Sequence, residues 1–249
     1  EVVGPVARSA RDITIVDEIL SGPSRGDPTS RARYPSRETS TPRVMFVPRL
    51  DSAPCDPGIL DATRRIADGL ADIGCDVRES DLPLNLQPIT DAWSAIAEIG
   101  LARAFRDDPD VAAVAASKYR AMAERGEAYT GADLWKILNV VRSLRVAASR
   151  CFTEIDAILM PSSAAMPWPA CDPFPSLIDG QTVGPRGHAI YTGWVNAAGL
   201  PAVSVPTPAS GSLPIGAQII GDLGSEHMLM QLAQELEEAG ISCFHPPSL

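Results

Sequence analysis

The side chains that stand out as nucleophiles, bases or metal ligands are few: Ser162-Ser163, three histidines, two lysines and five cysteines in 249 residues. Acyl transfer at a serine requires a base within hydrogen-bond reach and preorganised N–H donors for the oxyanion. Ser162-Ser163 follows the short apolar run 156–160, where active-site loops of α/β proteins sit. The pair has no glycine neighbour to expose backbone N–H groups. No serine stands on a strand-to-helix nucleophile elbow, and no S-x-x-K occurs. The two serines therefore read as ordinary loop residues or as site lining, and no catalytic residue is assigned within the chain.

His188, His227 and His245 lack the spacing of a metal pair, so no metal site is expected and each reads as structural or solvated. Lys118 and Lys136 follow no glycine-rich loop. Cys55, Cys75, Cys151, Cys171 and Cys243 are odd in number and widely spaced. They fit neither a disulfide framework nor a zinc site, and read as reduced thiols of a cytoplasmic protein. The stretches 193–199 and 221–224 only echo a dinucleotide loop, because G-x-G-x-x-G after a strand is missing; no cofactor is implied and an oxidoreductase is disfavoured.

A net charge of −10 with scattered arginines excludes a nucleic-acid surface, which needs clustered cations to displace counterions. No stretch reaches the roughly 18–20 apolar residues of a membrane span. The opening Glu1-Val2-Val3-Gly4-Pro5 is neither a signal peptide nor a natural start, so the chain is expected to derive from something longer.

These residues must be positioned by a layered α/β architecture. Residues 8–20 carry a helical stripe, Ile13, Ile15, Val16, Ile19 and Leu20, ended by Ser21-Gly22-Pro23. Arg8 and Asp12, one helical turn apart, are expected to pair. Residues 22–42 form an irregular loop. The run 43–47 reads as a buried strand, 56–74 as an amphipathic helix and 75–79 as a second strand. That is a βαβ unit with a parallel pair. Residues 85–152 are mostly helical, with Thr130 or Asp133 as a cap. Then come a strand at 156–160, a Pro- and Gly-dense loop at 162–186, two further buried strands at 202–205 and 216–220, and a helix within 224–240. Gln218, between apolar strand residues, must find hydrogen-bond partners.

The segment Tyr191-Thr192-Gly193-Trp194-Val195-Asn196-Ala197-Ala198-Gly199-Leu200-Pro201-Ala202-Val203-Ser204-Val205-Pro206 resembles the C-terminal run of the amidase-signature family: an aromatic-Thr pair, Asn, Gly-Leu-Pro-Ala and a strand ending in Pro. Leu213-Pro214-Ile215-Gly216-Ala217-Gln218-Ile219-Ile220-Gly221 is similar to the strand that follows it there. Asp156-Ala157-Ile158-Leu159-Met160-Pro161 is similar to the family's "D-x-L-L-x-P". Gly4-Pro5-Val6-Ala7-Arg8-Ser9-Ala10-Arg11-Asp12, with Gly22 and Asp27-Pro28 after it, resembles the block at the family's middle. Each motif alone is weak; their ordered set is strong. Residues 85–150 match only in helical character.

The resemblance implies an α/β/α sandwich on a mixed central sheet, with residues 1–249 as the C-terminal portion of one domain. It implies amide hydrolysis through a Ser–cis-Ser–Lys triad that lies before the Gly4-Pro5 block. The partners expected are a small-molecule amide substrate and a missing N-terminal segment or companion chain carrying the triad; homo-oligomerisation is left open. Losing triad members costs on the order of 10⁴–10⁶ in rate, so this chain alone is expected to be inactive. Pro161, Ser162, Ser163, Trp168, Tyr191, Thr192, Gly193, Trp194 and Asn196 are the expected pocket wall. For Trp168, Trp194 and Asn196 a purely structural role is the competing reading. Glutamine amidotransferases of the family carry an "R-[IR]-x-x-G" helix that Glu98-Ile99-Gly100-Leu101-Ala102-Arg103 does not match. A general amidase is thus favoured over a glutamine amidotransferase, with a non-catalytic binding homologue as the other alternative. If half the domain lies elsewhere, apolar faces and strand edges should be left open.

Overall fold

The computed structural model describes residues 4–31, 39–207 and 213–244. Glu1–Pro83 with Ser149–Leu249 make one compact unit, and Leu84–Ala148 a second. The first begins with α1 (Ala10–Leu20), β1 (Arg43–Phe46), α2 (Pro57–Asp72) and β2 (Asp76–Glu79). The chain then runs through α3 (Gln87–Asp107), α4 (Pro109–Val114), α5 (Ser117–Gly126) and α6 (Gly131–Cys151). It completes the first unit with β3 (Ala157–Pro161), a small hairpin of β4 (Leu177–Ile178) and β5 (Gln181–Thr182), α7 (Gly193–Ala198), β6 (Ala202–Pro206), β7 (Gly216–Gly221) and α8 (Glu226–Glu238).

The five-stranded sheet has the order β2-β1-β3-β7-β6. β2, β1 and β3 are mutually parallel and β7 runs antiparallel to both β3 and β6, so the sheet is mixed, as expected. The βαβ crossover is set by local signals. Asp56 accepts a hydrogen bond from Gly58 N (2.9 Å), and Pro57 occupies the first turn, where its missing N–H is harmless. Ile59, Ala62, Ile66, Ala67 and Leu70 then keep one buried stripe. Gly74, at φ +102°, turns the chain into β2.

One sheet face, with Val44, Phe46, Ala157, Leu159, Ala217, Ile219 and Val205, packs on Ile66 and Leu70 of α2 and on Leu229, Leu232 and Leu236 of α8. Burying each such side chain stabilises the fold by about 1.5–3 kcal/mol. The first strands are also clamped at one end. Arg43 donates from its backbone N and from Nε to Asp156 Oδ2 (2.9 and 3.0 Å), and from a terminal nitrogen to Oδ1 (3.0 Å). The fork matches the two carboxylate oxygens bidentately.

Two expectations fail in this unit. The strand at 202–205 is not buried: β6 is an edge strand, with Ala202, Ser204 and Pro206 exposed. Arg8 and Asp12 do not pair, because α1 starts only at Ala10, capped by Ser9 Oγ accepting from Asp12 N (3.1 Å). The Arg8 guanidinium lies over the Phe244 ring instead (5.4 Å), and the first N–H of the helix, at Ala10, is taken by the Glu237 carboxylate (2.7 Å). Within the irregular loop, Pro28–Arg31 forms a 3₁₀ turn; residues 32–38 of that loop, and His245, lie outside the described residues.

In the second unit α3 and α5 approach closely at Gly126. A Cβ there would stand 2.1 Å from the Glu98 carbonyl oxygen. The buried Glu98 carboxylate accepts from Arg125 Nε (2.7 Å) and Tyr129 Oη (3.1 Å), which satisfies the charge where the helices meet. Thr130 and Asp133 cap α6 reciprocally: Thr130 N donates to Asp133 Oδ2 (3.0 Å), and Asp133 N to Thr130 Oγ1 (3.2 Å).

Candidate functional site

β3 ends at Pro161 and delivers Ser162-Ser163 at the carboxyl end of the sheet's central strand, while β7 begins beside it at Gly216; Ser162 N donates to Gly216 O (3.1 Å). Ser162 Oγ and Ser204 Oγ share a hydrogen bond of 3.0 Å. The Ser163 hydroxyl accepts from Ala165 N (3.2 Å) and lies within bonding distance of the Ala165 and His188 carbonyl oxygens (3.1 and 3.3 Å). Among the described residues no lysine or histidine side chain is bonded to either serine, so neither forms a nucleophile–base pair.

Behind this loop, Trp168 donates from Nε1 to Asp172 O (3.1 Å) and packs against the His188 ring, with centroids 4.8 Å apart and planes tilted by 56°. His188 sits in the 3₁₀ turn Gly187–Ala189 and is half-buried, with Nδ1 buried and unpartnered. Burial, then the nearby Arg186 charge, pushes its imidazole below the ordinary value, so it is neutral near pH 7. Ser163, Trp168, Ile59, Ala165, Pro167, Pro214, Ile215 and Gly216 enclose a cavity of about 200 Å³.

Gln218 joins the two walls named from sequence. Pointing from the sheet face opposite α2 and α8, its Nε2 donates to Pro161 O (3.2 Å) and to Tyr191 O (2.9 Å). Both N–H groups of the buried amide are therefore satisfied. Tyr191 is wholly buried, and its hydroxyl donates to Pro48 O (3.1 Å); burial, and next the neighbouring Cys55, hold the phenol far above its usual range. Thr192 precedes α7 and Gly193 opens it. Trp194 is buried with Nε1 unpartnered, whereas Asn196 is exposed and makes only backbone hydrogen bonds. The turn after α7 is made by Gly199 in the left-handed region (φ +73°), which explains the Gly-Leu-Pro sequence.

Of the nine residues expected in the wall, the cavity itself collects Ser163 and Trp168. Ser162 borders it through Gly216, and Pro161 and Tyr191 stand behind it, joined by Gln218. Thr192, Gly193, Trp194 and Asn196 do not line it. Sequence reasoning did not assign Ile59, Ala165, Pro167, Pro214, Ile215 and Gly216 to the wall, because their types carry no positional signal; only the fold brings them together, with His188 packed against Trp168. One G-x-S-x-G spacing does occur, Gly22-Pro23-Ser24-Arg25-Gly26. There Ser24 lies exposed in a turn after α1 with Oγ accepting from Gly26 N (3.3 Å), not between a strand and a helix.

A mixed sheet with helices packed on it, and a pocket formed where β3 ends and β7 begins, defines an α/β protein. A family model described as Amidase matches residues 1–230, and the chain belongs to that family. It is 25% identical over 264 residues to the A-subunit of glutamyl-tRNA(Gln) amidotransferase from Thermus thermophilus, a match covering 95% of this chain and 55% of that protein. Its fold is that of a bacterial aryl acylamidase of the amidase signature enzymes (TM-score 0.78, 22% identity, 95% of this chain and 52% of the other). It is equally that of a 6-aminohexanoate cyclic dimer hydrolase (TM-score 0.78, 23% identity, 94% and 53%). The chain spans about half the length of the curated relatives it matches over nearly its whole extent. No helix among the described residues is long and apolar enough to cross a membrane, and no group of three His, Cys, Asp or Glu side chains among them could hold a metal ion.

Proposed function

We propose that this chain is the scaffold and pocket-wall portion of an amide hydrolase whose Ser–cis-Ser–Lys groups lie on polypeptide preceding these residues. The observation that carries the reading is a surface made for a partner. β6 is an open edge of the sheet, and α1 beside it leaves Ile15, Val16, Ile19 and Leu20 exposed. A groove of about 230 Å³ runs there, lined by Ala10, Ile13, Val203, Val205, Met230 and Phe244 among others. An edge strand beside bare apolar surface is a template for another strand and its covering elements. The occupant is the remainder of the amidase domain, in keeping with a chain of about half its relatives' length. Both compact units then belong to one catalytic domain.

In the complete protein the lysine acts through the bridging serine as base for the nucleophilic serine, and glycine-rich backbone N–H groups hold the oxyanion. The present chain contributes the wall: Ser163 and Trp168 line the cavity, Ser162 borders it, and Pro161 with the segment Tyr191, Thr192, Gly193, Trp194 and Asn196 backs the wall without lining the cavity. Five free cysteines suit a reducing, cytoplasmic setting. The names of the curated relatives favour a second reading, a glutamine amidotransferase-like protein. Labelling with a fluorophosphonate separates the cases. The chain alone should neither react stoichiometrically nor release ammonia from amides, and adding the upstream portion should restore both. Stoichiometric labelling and turnover by this chain alone would refute the reading.

A further inference from the structure

The 200 Å³ cavity beside Ser163 has a chemistry of its own. Its walls are Ile59, Ala165, Pro167, Trp168, Pro214 and Ile215, and among the described residues no charged side chain lines it. The one polar side chain of the lining, Ser163, already has its hydroxyl engaged with backbone atoms. Trp168 is held in place by its Nε1–H bond to Asp172 O and by the His188 ring packed against it. The polar corner is Gly216, where a Cβ would come within 3.1 Å of Ser204 Oγ and 3.3 Å of Ser162 Oγ. An apolar cavity of about 150 Å³ is known to take a benzene ring, so this space accommodates one ring with room to spare.

We propose that this cavity seats an uncharged, flat apolar group of the amide substrate, with the polar end of the substrate toward Gly216 and the Ser162–Ser204 hydroxyls. The inference rests on the amide-hydrolase reading above and adds the substrate class. A carboxylate entering the cavity would lose its water and meet no lining cation, which disfavours it strongly. His188 does not supply one: burial, followed by the Arg186 charge, keeps its ring neutral.

The test compares benzamide with terephthalamate, the same ring bearing a carboxylate, and with glutamine, using this chain joined to the polypeptide that carries the catalytic groups. Benzamide should show a kcat/KM at least about 100-fold above both. Trp168→Ala should lower that value for benzamide roughly tenfold through KM, while Trp168→Phe retains most of it. Trp168 is a half-buried loop residue, so both variants are expected to fold. Turnover of terephthalamate or glutamine at the benzamide rate, or an unchanged benzamide KM in Trp168→Ala, overturns the inference while leaving the hydrolase reading intact. Binding of benzamide to this chain alone, measured by isothermal titration calorimetry, decides the pocket separately. Saturable binding lost in Trp168→Ala supports it even if no amide is turned over, and absence of binding together with absence of turnover sinks both readings.

Discussion

Replacing Gln218 by methionine tests how the two walls of the site are held. The side chain is 5% exposed, and its Nε2 is shared between Pro161 O and Tyr191 O. Methionine has similar length and no donor, so it leaves two buried carbonyl oxygens without this partner. Each loss costs about 1–3 kcal/mol, and burying the apolar side chain returns about 1–2 kcal/mol. The net destabilisation is about 2 kcal/mol. For a folding unit of 150–250 residues that lowers Tm by roughly 4–8 °C. Gln218→Glu should be worse at neutral pH, because a carboxylate would face two carbonyl oxygens, and should recover as the pH falls and the acid becomes a donor. Thermal unfolding followed by circular dichroism measures both. Hydrogen exchange at Ser162–Ala164 and at 192–196 should quicken in Gln218→Met. A Tm within 1 °C of wild type for Gln218→Met, with Gln218→Glu no less stable, would refute the argument.

Two further outcomes follow from packing and burial. Gly126→Ala should destabilise the helical unit by about 1–3 kcal/mol in urea unfolding, since the added methyl meets the Glu98 carbonyl at 2.1 Å and exceeds the roughly 1 kcal/mol gained in helix propensity. Cys75 is held at a pKa of about 11, raised from 9.0 by burial and next by the Glu235 charge. The folded state therefore binds the thiol proton more tightly. Its contribution is fully present below pH 9 and is lost as pH rises from about 9 to about 11, by up to about 2–3 kcal/mol. Cys75→Val should flatten that part of the stability–pH curve, and an unchanged slope between pH 9 and 11 counts against the assignment.

Much of the architecture was legible in the residue order because local physics writes it there. Asp56-Pro57 and Gly74 bracket α2, and the Thr130/Asp133 pair opens α6; these are short-range hydrogen-bond and φ requirements that no distant contact overrides. Gln218 was also legible in outline, since a polar residue among Ala217, Ile219 and Ile220 must be satisfied once buried. The family resemblance rests on the same kind of signal, blocks such as Gly199-Leu200-Pro201 whose composition a turn dictates.

The misreadings share one cause. The run 202–205 looks like any buried strand, yet only Val205 of it is fully covered. Apolar periodicity says which face seeks cover but not whether cover is present. Only the strand order, with β6 at the edge, shows that these groups stand at an open margin of the sheet. Arg8 lies over Phe244 rather than against Asp12 because the helix begins at Ala10, where the Ser9 cap is joined by the Glu237 carboxylate from 227 residues away. Likewise Ile59, Pro214 and Ile215 carry no mark of a pocket in their spacing. Sequence alone determined the main strands and helices, the Thr130/Asp133 cap and the family resemblance, since these depend on neighbours along the chain. The cavity, its neutral histidine and the open sheet edge were decided by tertiary structure, because burial and adjacency arise only when distant segments meet.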